Sequence, residues 1–136
     1  MDLANQLIEL RILLANLCDG FNDGGKDTLL TNKLRILFLL SCEDCSPNAI
    51  IDTLCMAKSN ITNLMKSMMQ EGLIERYKSL NNSKNIYYSI TEKGLIALKK
   101  YKDRMLAQVS CKCNNQDGLS SNVNTIIDIL KGKKND

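Results

Sequence analysis

The sequence predicts a mainly α fold with one small β hairpin, an α+β class. Three observations lead there. Apolar residues recur at spacings of three and four along most of the chain. Two short runs rich in β-branched and aromatic residues, residues 73–77 and 86–90, flank a polar stretch. One proline, Pro47, leaves the helical segments uninterrupted. At 136 residues the chain fits a single domain with a buried core, spanning 1–136. It has no Trp, two Phe and six Met, so that core must be aliphatic and Met-rich. The longest apolar run, Leu34 to Leu40, contains Arg35 and falls well short of the ~18–20 residues of a membrane span. No secretory leader is evident at the N-terminus, which makes the cytoplasm the expected location and a membrane partner unexpected.

The elements follow in order. Leu3, Leu7, Leu10, Leu14 and Leu17 form a heptad seam of about two heptads. That is too short for a free coiled coil, so the first helix (about 2–18) is expected to pack within a larger helical interface. Asp19 to Asp27 is rich in Gly and Asp and reads as a loop. Leu29 to Ser41 is helical again. Leu30, Leu34, Leu37 and Phe38 share a face, and Ile36, Leu39 and Leu40 make this helix apolar nearly all round, hence central and buried. Ser46-Pro47 marks a helix start, with Ser as N-cap and Pro at the first helical position. Ile50, Ile51 and Leu54 supply its core face. A turn through Cys55 and Met56 leads into a second helix from about Ala57 to Glu71, which Gly72 closes. Asn81-Asn82-Ser83 favours a turn between the two strands. Thr91-Glu92-Lys93-Gly94 opens a long helix running toward Val109. Cys111 to Ser121 reads as polar and irregular, and Val123, Ile126, Ile127 and Leu130 form a final amphipathic helix. The tail from Lys131 is expected to fray.

The helix after Met56 carries the clearest functional signal. One of its faces holds Ser59, Asn60, Asn63, Lys66, Ser67 and Gln70, and the other holds Ile61, Leu64, Met65 and Met68. Hydroxyls, amides and a lysine on an outward face suit the edges of base pairs in the DNA major groove. Charge is distributed to match. Residues 1–56 carry four Lys/Arg against eight Asp/Glu, whereas residues 57–90 carry five against two and residues 91–113 six against two. The formal total of +3 thus conceals a basic second half, which favours a polyphosphate partner through counterion release.

The order helix, helix, hairpin, helix is that of a winged helix-turn-helix, with a core at about 29–94. Within it, "SNITNLMKSMMQEGLIER" (Ser59 to Arg76) and "SITEKG" (Ser89 to Gly94) resemble the MarR family of bacterial transcriptional regulators. The similarity at motif level runs from Ser46 to Leu95. It implies a homodimeric DNA-binding regulator, expected to be a repressor on a pseudo-palindromic operator, clasped through terminal helices at about 2–18 and 92–131. Leu3, Leu7, Leu10, Leu14, Leu17, Val123, Ile126, Ile127 and Leu130 are the expected dimer contacts. Lys58, Ser59, Asn60, Thr62 and Asn63 are expected to meet bases or phosphates, Lys66, Arg76, Lys78 and Lys84 to act mainly on the phosphates, and Asn82 to join the DNA contacts from the wing. A small-molecule effector is implied in a crevice between the dimerisation helices and the winged lobe.

Three departures from that family pattern stand out. Asn82 and Lys84 occupy the wing positions where the family carries Asp-x-Arg, so the planar guanidinium fork is lost. Ala57 stands where a capping Ser or Thr is common. Asn63 replaces a frequent Arg and favours adenine over guanine, which points to A·T-rich operators.

The six cysteines and the absence of His bound the alternatives. Cys42-x-x-Cys45 and Cys111-x-Cys113 offer four thiols, which would suit a soft metal if the pairs met, but they fall at opposite ends of the expected architecture. No metal site and no cofactor are therefore expected. Cys18 and Cys55 read as small packing residues. The alternative functions are an ArsR-like metal- or thiol-responsive sensor, and a winged-helix module for protein contacts alone. Without His, a Gly-rich phosphate loop or a nucleophile motif, an enzyme is not expected.

Overall fold

The computed structural model describes residues 2–19, 28–80 and 85–132. Six helices and one hairpin run in the order α1 (Leu3–Asp19), α2 (Thr28–Cys42), α3 (Pro47–Leu54), α4 (Lys58–Gln70), β1 (Ile74–Lys78), β2 (Ile86–Ile90), α5 (Glu92–Ser110) and α6 (Gln116–Leu130). The expected 19–27 loop falls largely outside the described residues. Asn82, Lys84 and the side chains of Leu17, Cys18 and Leu30 lie outside them as well.

The core is built around α2. Ile36, Leu37 and Leu40 are buried there, and they meet Ile50 and Leu54 of α3, the stripe Ile61, Leu64, Met65 and Met68 of α4, Leu73 and Ile74, Tyr88 of β2 and Leu98 of α5. Each of these side chains, taken out of water, contributes about 1.5–3 kcal/mol relative to exposure. Phe38 departs from the expected all-round burial, being 52% exposed. Leu34 and Leu39 are partly buried against the same core, so it is the Phe38 position of α2 that stays open to solvent.

Local chemistry explains the element ends. The Ser46 hydroxyl accepts a hydrogen bond from the Ala49 amide at 3.2 Å, and Pro47 follows it in the first helical turn. Helix α3 ends at Cys55, a non-glycine residue in the left-handed region (φ 54°), whose amide donates to the Ile51 carbonyl. Cys55 is exposed, so it is a turn residue rather than the packing residue expected. Helix α4 starts at Ala57, which has the extended backbone of an N-cap but no side chain to bond the first-turn amides. At its other end Gly72 takes φ +78°, and the Leu73 amide returns to the Met68 carbonyl.

The hairpin pairs Ile74 with Ile90 and Lys78 with Ile86 in antiparallel register. Cys45 adds a one-residue third strand. Its amide donates to the Tyr88 carbonyl at 3.1 Å and its carbonyl accepts from the Tyr88 amide at 2.8 Å. Helix α5 is then locked to the base of the hairpin. The Thr91 hydroxyl donates to the Gly72 carbonyl at 2.6 Å and accepts from the Gly94 amide at 3.1 Å, and the Thr91 amide donates to the Leu73 carbonyl. A Cβ on Gly94 would lie 2.2 Å from the Leu73 carbonyl oxygen, so the Gly in Thr-Glu-Lys-Gly is a requirement of close approach.

Helix α6 begins at Gln116, not near Val123, which corrects the reading of residues up to Ser121 as irregular. The Asn115 side chain caps it by accepting from the Gly118 amide at 2.9 Å, and Asp117 sits in its first turn, where a negative charge suits the helix dipole. Helices α1 and α6 leave much apolar surface uncovered. Leu3, Leu7 and Leu14, with Ile8, Ile12 and Leu13 beside them, are exposed, as are Val123, Ile126, Ile127 and Leu130. Leu10 is half-buried.

Two substitutions test these local accounts. Gly94→Ala should lower stability by about 1–3 kcal/mol through overpacking against the Leu73 carbonyl, read as a lower urea midpoint with unchanged slope. Ala57→Ser should raise stability by about 1 kcal/mol by supplying the missing cap, seen as a thermal midpoint several degrees higher; an unchanged midpoint would refute the capping account.

Candidate nucleic-acid interface

The apolar stripe of α4 fixes which way its polar side chains point. With Ile61, Leu64, Met65 and Met68 buried, Lys58, Ser59, Asn60, Thr62, Asn63 and Lys66 are all exposed, as is Gln70, while Ser67 is half-buried. The spacing of a 3.6-residue helix admits no other outcome once the stripe is docked. Positive potential gathers at the start of this helix. Its first turn contains Lys58, no acidic residue and no capping side chain, so the positive end of the helix dipole is left uncompensated.

The side chains differ in what they can offer a base. The Thr62 hydroxyl donates to the Lys58 carbonyl at 2.9 Å, one turn back along α4. Its proton is committed, which leaves its lone pairs and its methyl group to face outward. For Ser59, Asn60 and Asn63, both donor and acceptor functions face solvent. A bidentate contact to a base edge asks for that combination.

Two long-range contacts fix the helices on either side of the turn and the end of α4. The Arg35 guanidinium donates to the Leu54 carbonyl at 3.3 Å, tying α2 to the end of α3 just before the turn. The Lys33 ammonium lies 2.9 Å from a carboxylate oxygen of Glu71, past the last turn of α4. This pair offsets a negative charge placed at the unfavourable end of the helix dipole. Neither contact carried a sequence signal, because each joins residues far apart in the chain.

The hairpin segregates its side chains by face. Arg76 and Lys78 alternate with Glu75 and Tyr77 along β1, and both basic residues are exposed. They continue the sheet face that, nearer its base, buries Ile74 and Tyr88 in the core. On the opposite face Tyr77 stacks on Tyr87, with ring centroids 6.0 Å apart and planes 25° apart. The Tyr77 hydroxyl donates to a carboxylate oxygen of Asp44. That hydrogen bond, with smaller contributions from desolvation and the Asp44 and Tyr87 charges, holds the phenol above its ordinary range, so the donor persists further into alkaline pH than that of a free tyrosine. Asp44 and Cys45 therefore fasten the hairpin to the segment between α2 and α3 through one side chain and one backbone bridge.

Along α5, Lys99 is paired with Asp103 at 3.0 Å, as befits a solvated helix face. At the Cys42–Cys45 pair, burial first, and then Glu43, Asp44 and Cys42, push the Cys45 thiol up from its ordinary value. The Cys45 thiol also donates to the Glu43 carbonyl. A thiol held protonated is a poor metal ligand and a poor nucleophile. Among the described residues, no three His, Cys, Asp or Glu side chains group so as to hold a metal ion. No helix among the described residues is long and apolar enough to cross a membrane.

Comparison with known proteins agrees with this geometry. Residues 33–109 match the family described as winged helix DNA-binding domain. No curated protein matches the chain. Among solved structures, the Multiple Antibiotic Resistance Repressor, MarR, aligns with a TM-score of 0.73 at 13% identity, over 97% of this chain and 94% of that one. The transcriptional regulator BldR from Sulfolobus solfataricus aligns with a TM-score of 0.65 at 20% identity, over 93% of this chain and 98% of the other. The Adhesin competence repressor AdcR from Streptococcus pyogenes gives 0.56 at 14% identity, over 96% and 94%. At these identities the likeness is one of fold, and it spans the terminal helices as well as the wing. The chain belongs to the winged helix DNA-binding domain family, and its architecture is that of the MarR regulators.

Proposed function

We propose that this protein is a homodimeric transcriptional repressor, acting in the cytoplasm, that reads a pseudo-palindromic operator with α4 of each protomer. The observation that carries this reading is the solvent-facing row Lys58, Ser59, Asn60, Thr62, Asn63 and Lys66, set against a fully internal apolar stripe. In this reading α4 enters the major groove, Ser59, Asn60 and Asn63 meet base edges, and Lys58 and Lys66 meet phosphates. Arg76 and Lys78 carry positive charge along the wing toward the adjacent backbone. The wing-tip contacts assigned to Asn82 and Lys84 belong to the same reading.

Homodimerisation draws its support from α1 and α6. Leu3 is 68% and Leu130 72% exposed, and Leu7, Leu14, Val123, Ile126 and Ile127 are exposed with them. Apolar surface of that extent on two helices is costly in water and marks an interface. Reading two half-sites one turn of DNA apart requires a two-fold pairing that sets the two copies of α4 about 34–36 Å apart. Two of the structural relatives are named repressors, which favours repression over activation here. The role is binding rather than catalysis, with a small-molecule effector seated between the dimerisation helices and the winged lobe as the regulatory input.

A gel shift on the chain's own upstream DNA, repeated across salt concentrations, tests the reading. Affinity should fall steeply as salt rises, and salt-independent or absent binding would overturn it. Asn63→Ala should cost about 1–3 kcal/mol on the preferred site and relax its base preference, whereas Lys66→Ala should weaken all sequences alike and reduce the salt slope by about 1. Ile127→Asp with Leu7→Arg should give a single-chain mass by light scattering and abolish operator binding. A native protein that already runs as a single chain at working concentration would remove the dimer from the account.

A further inference from the structure

Thr62 stands apart within the row that α4 turns to solvent. It lies one turn after Lys58 and one turn before Lys66, with Ser59 beside it on the same flank of the helix. Its side chain is exposed, and its hydroxyl donates to the Lys58 carbonyl at 2.9 Å. A threonine is already stiff about its first side-chain torsion, because Cβ carries two heavy atoms. The bond back to the preceding turn fixes that torsion further. It also spends the hydroxyl's only proton inside α4. The methyl group is the branch left unengaged, held in one direction on the outer surface of the helix. Ser59, Asn60 and Asn63 offer donors as well as acceptors, whereas Thr62 offers a fixed apolar group.

We propose that Thr62 is a specificity-determining residue that reads the 5-methyl group of one thymine in each half-site. This role rests on the proposed entry of α4 into the major groove. Among the four bases, thymine alone displays a methyl group there. Contact between the two methyl groups removes both from water and leaves no polar group unpaired. Because the threonine methyl is already fixed, the contact costs little further side-chain freedom. A cytosine in the same place leaves the Thr62 methyl against solvent. Asn63 follows in the sequence with an exposed amide of the kind that pairs with adenine. Neighbouring positions of one helix thus select an adenine by hydrogen bonds and a thymine by apolar contact.

Deoxyuridine scanning tests this, because uracil differs from thymine only in lacking the 5-methyl group. The full chain is titrated against the duplex it binds, taken from its upstream DNA or selected from a random library, with each thymine replaced in turn. For the native chain, one replacement in each half-site should weaken binding about fourfold, the worth of one methyl group withdrawn from water. Thr62→Ser keeps the hydroxyl and loses the methyl. It should bind the unmodified duplex about fourfold more weakly and show no further loss at that deoxyuridine. Thr62→Val loses the oxygen and keeps a methyl, and it should retain the deoxyuridine penalty. Both exchanges alter a single exposed group. A native chain indifferent to every deoxyuridine overturns the proposal, whatever the variants do. So does a penalty that persists in Thr62→Ser, or one that Thr62→Val abolishes, since the oxygen would then be the reader. Native protein that binds no duplex overturns the placement of α4 in DNA, and the role of Thr62 with it. Binding without a deoxyuridine effect removes the role of Thr62 alone.

Discussion

The burial of four side chains on one face of α4 is the constraint from which the interface follows. Ile61, Leu64, Met65 and Met68 leave water together, packing with Ile36, Leu37 and Leu40 of α2 and Ile50 of α3 in one core. Because the helix is rigid and its side-chain period fixed, docking this stripe orients every other residue of α4. The row from Lys58 to Lys66 faces solvent for that reason, without any interaction of its own to hold it there. Core packing and the proposed recognition surface thus share the same thirteen residues, with the apolar positions deciding the pose of the polar ones.

The wing depends on a second, smaller set of contacts. Thr91 and Gly94 join the start of α5 to Gly72 and Leu73, so that the end of α4, the root of β1 and the start of α5 meet at one point. Cys45 and Asp44 hold the hairpin from the side, through a backbone bridge to Tyr88 and a hydrogen bond from Tyr77. A two-stranded hairpin is marginally stable by itself. Here it is held at its base by α5 and along β2 by the segment preceding α3. These contacts fix the base of the hairpin against the end of α4, so Thr91 and Gly94 position the wing relative to α4.

The outer helices obey a different logic. Helices α1 and α6 keep their apolar faces exposed, whereas the winged lobe closes a core of its own. Their amphipathic pattern is the observation on which the proposed pairing with a second copy rests. A cavity at the α5–α6 corner lies at the margin of that surface. It is lined by Cys111 and Cys113, whereas Cys45, nearer the wing, is engaged through its backbone bridge to Tyr88 and a thiol that burial pushes up.

Much of this architecture was legible in the residues themselves, because it rests on interactions within a few positions of one another. The Ser46-Pro47 start, the Gly72 stop, the Thr91 cap and the period of α4 are local, and each produced the expected element to within a residue or two. The start of α6 was missed because Ser120, Ser121 and Asn122 argue against a helix, and the Asn115 cap that overrides them is a weak signal in a polar stretch. What the sequence by itself determined, then, is which segments are helices or strands and which face of each is apolar. The tertiary structure alone decided the exposure of Phe38, the turn at Cys55, the strand made by Cys45, the close approach at Gly94 and the bond from Tyr77 to Asp44. Local periodicity records whether a residue is apolar. Which partner it meets is fixed only when distant parts of the chain return to the same place, and those returns leave no regular mark on the sequence.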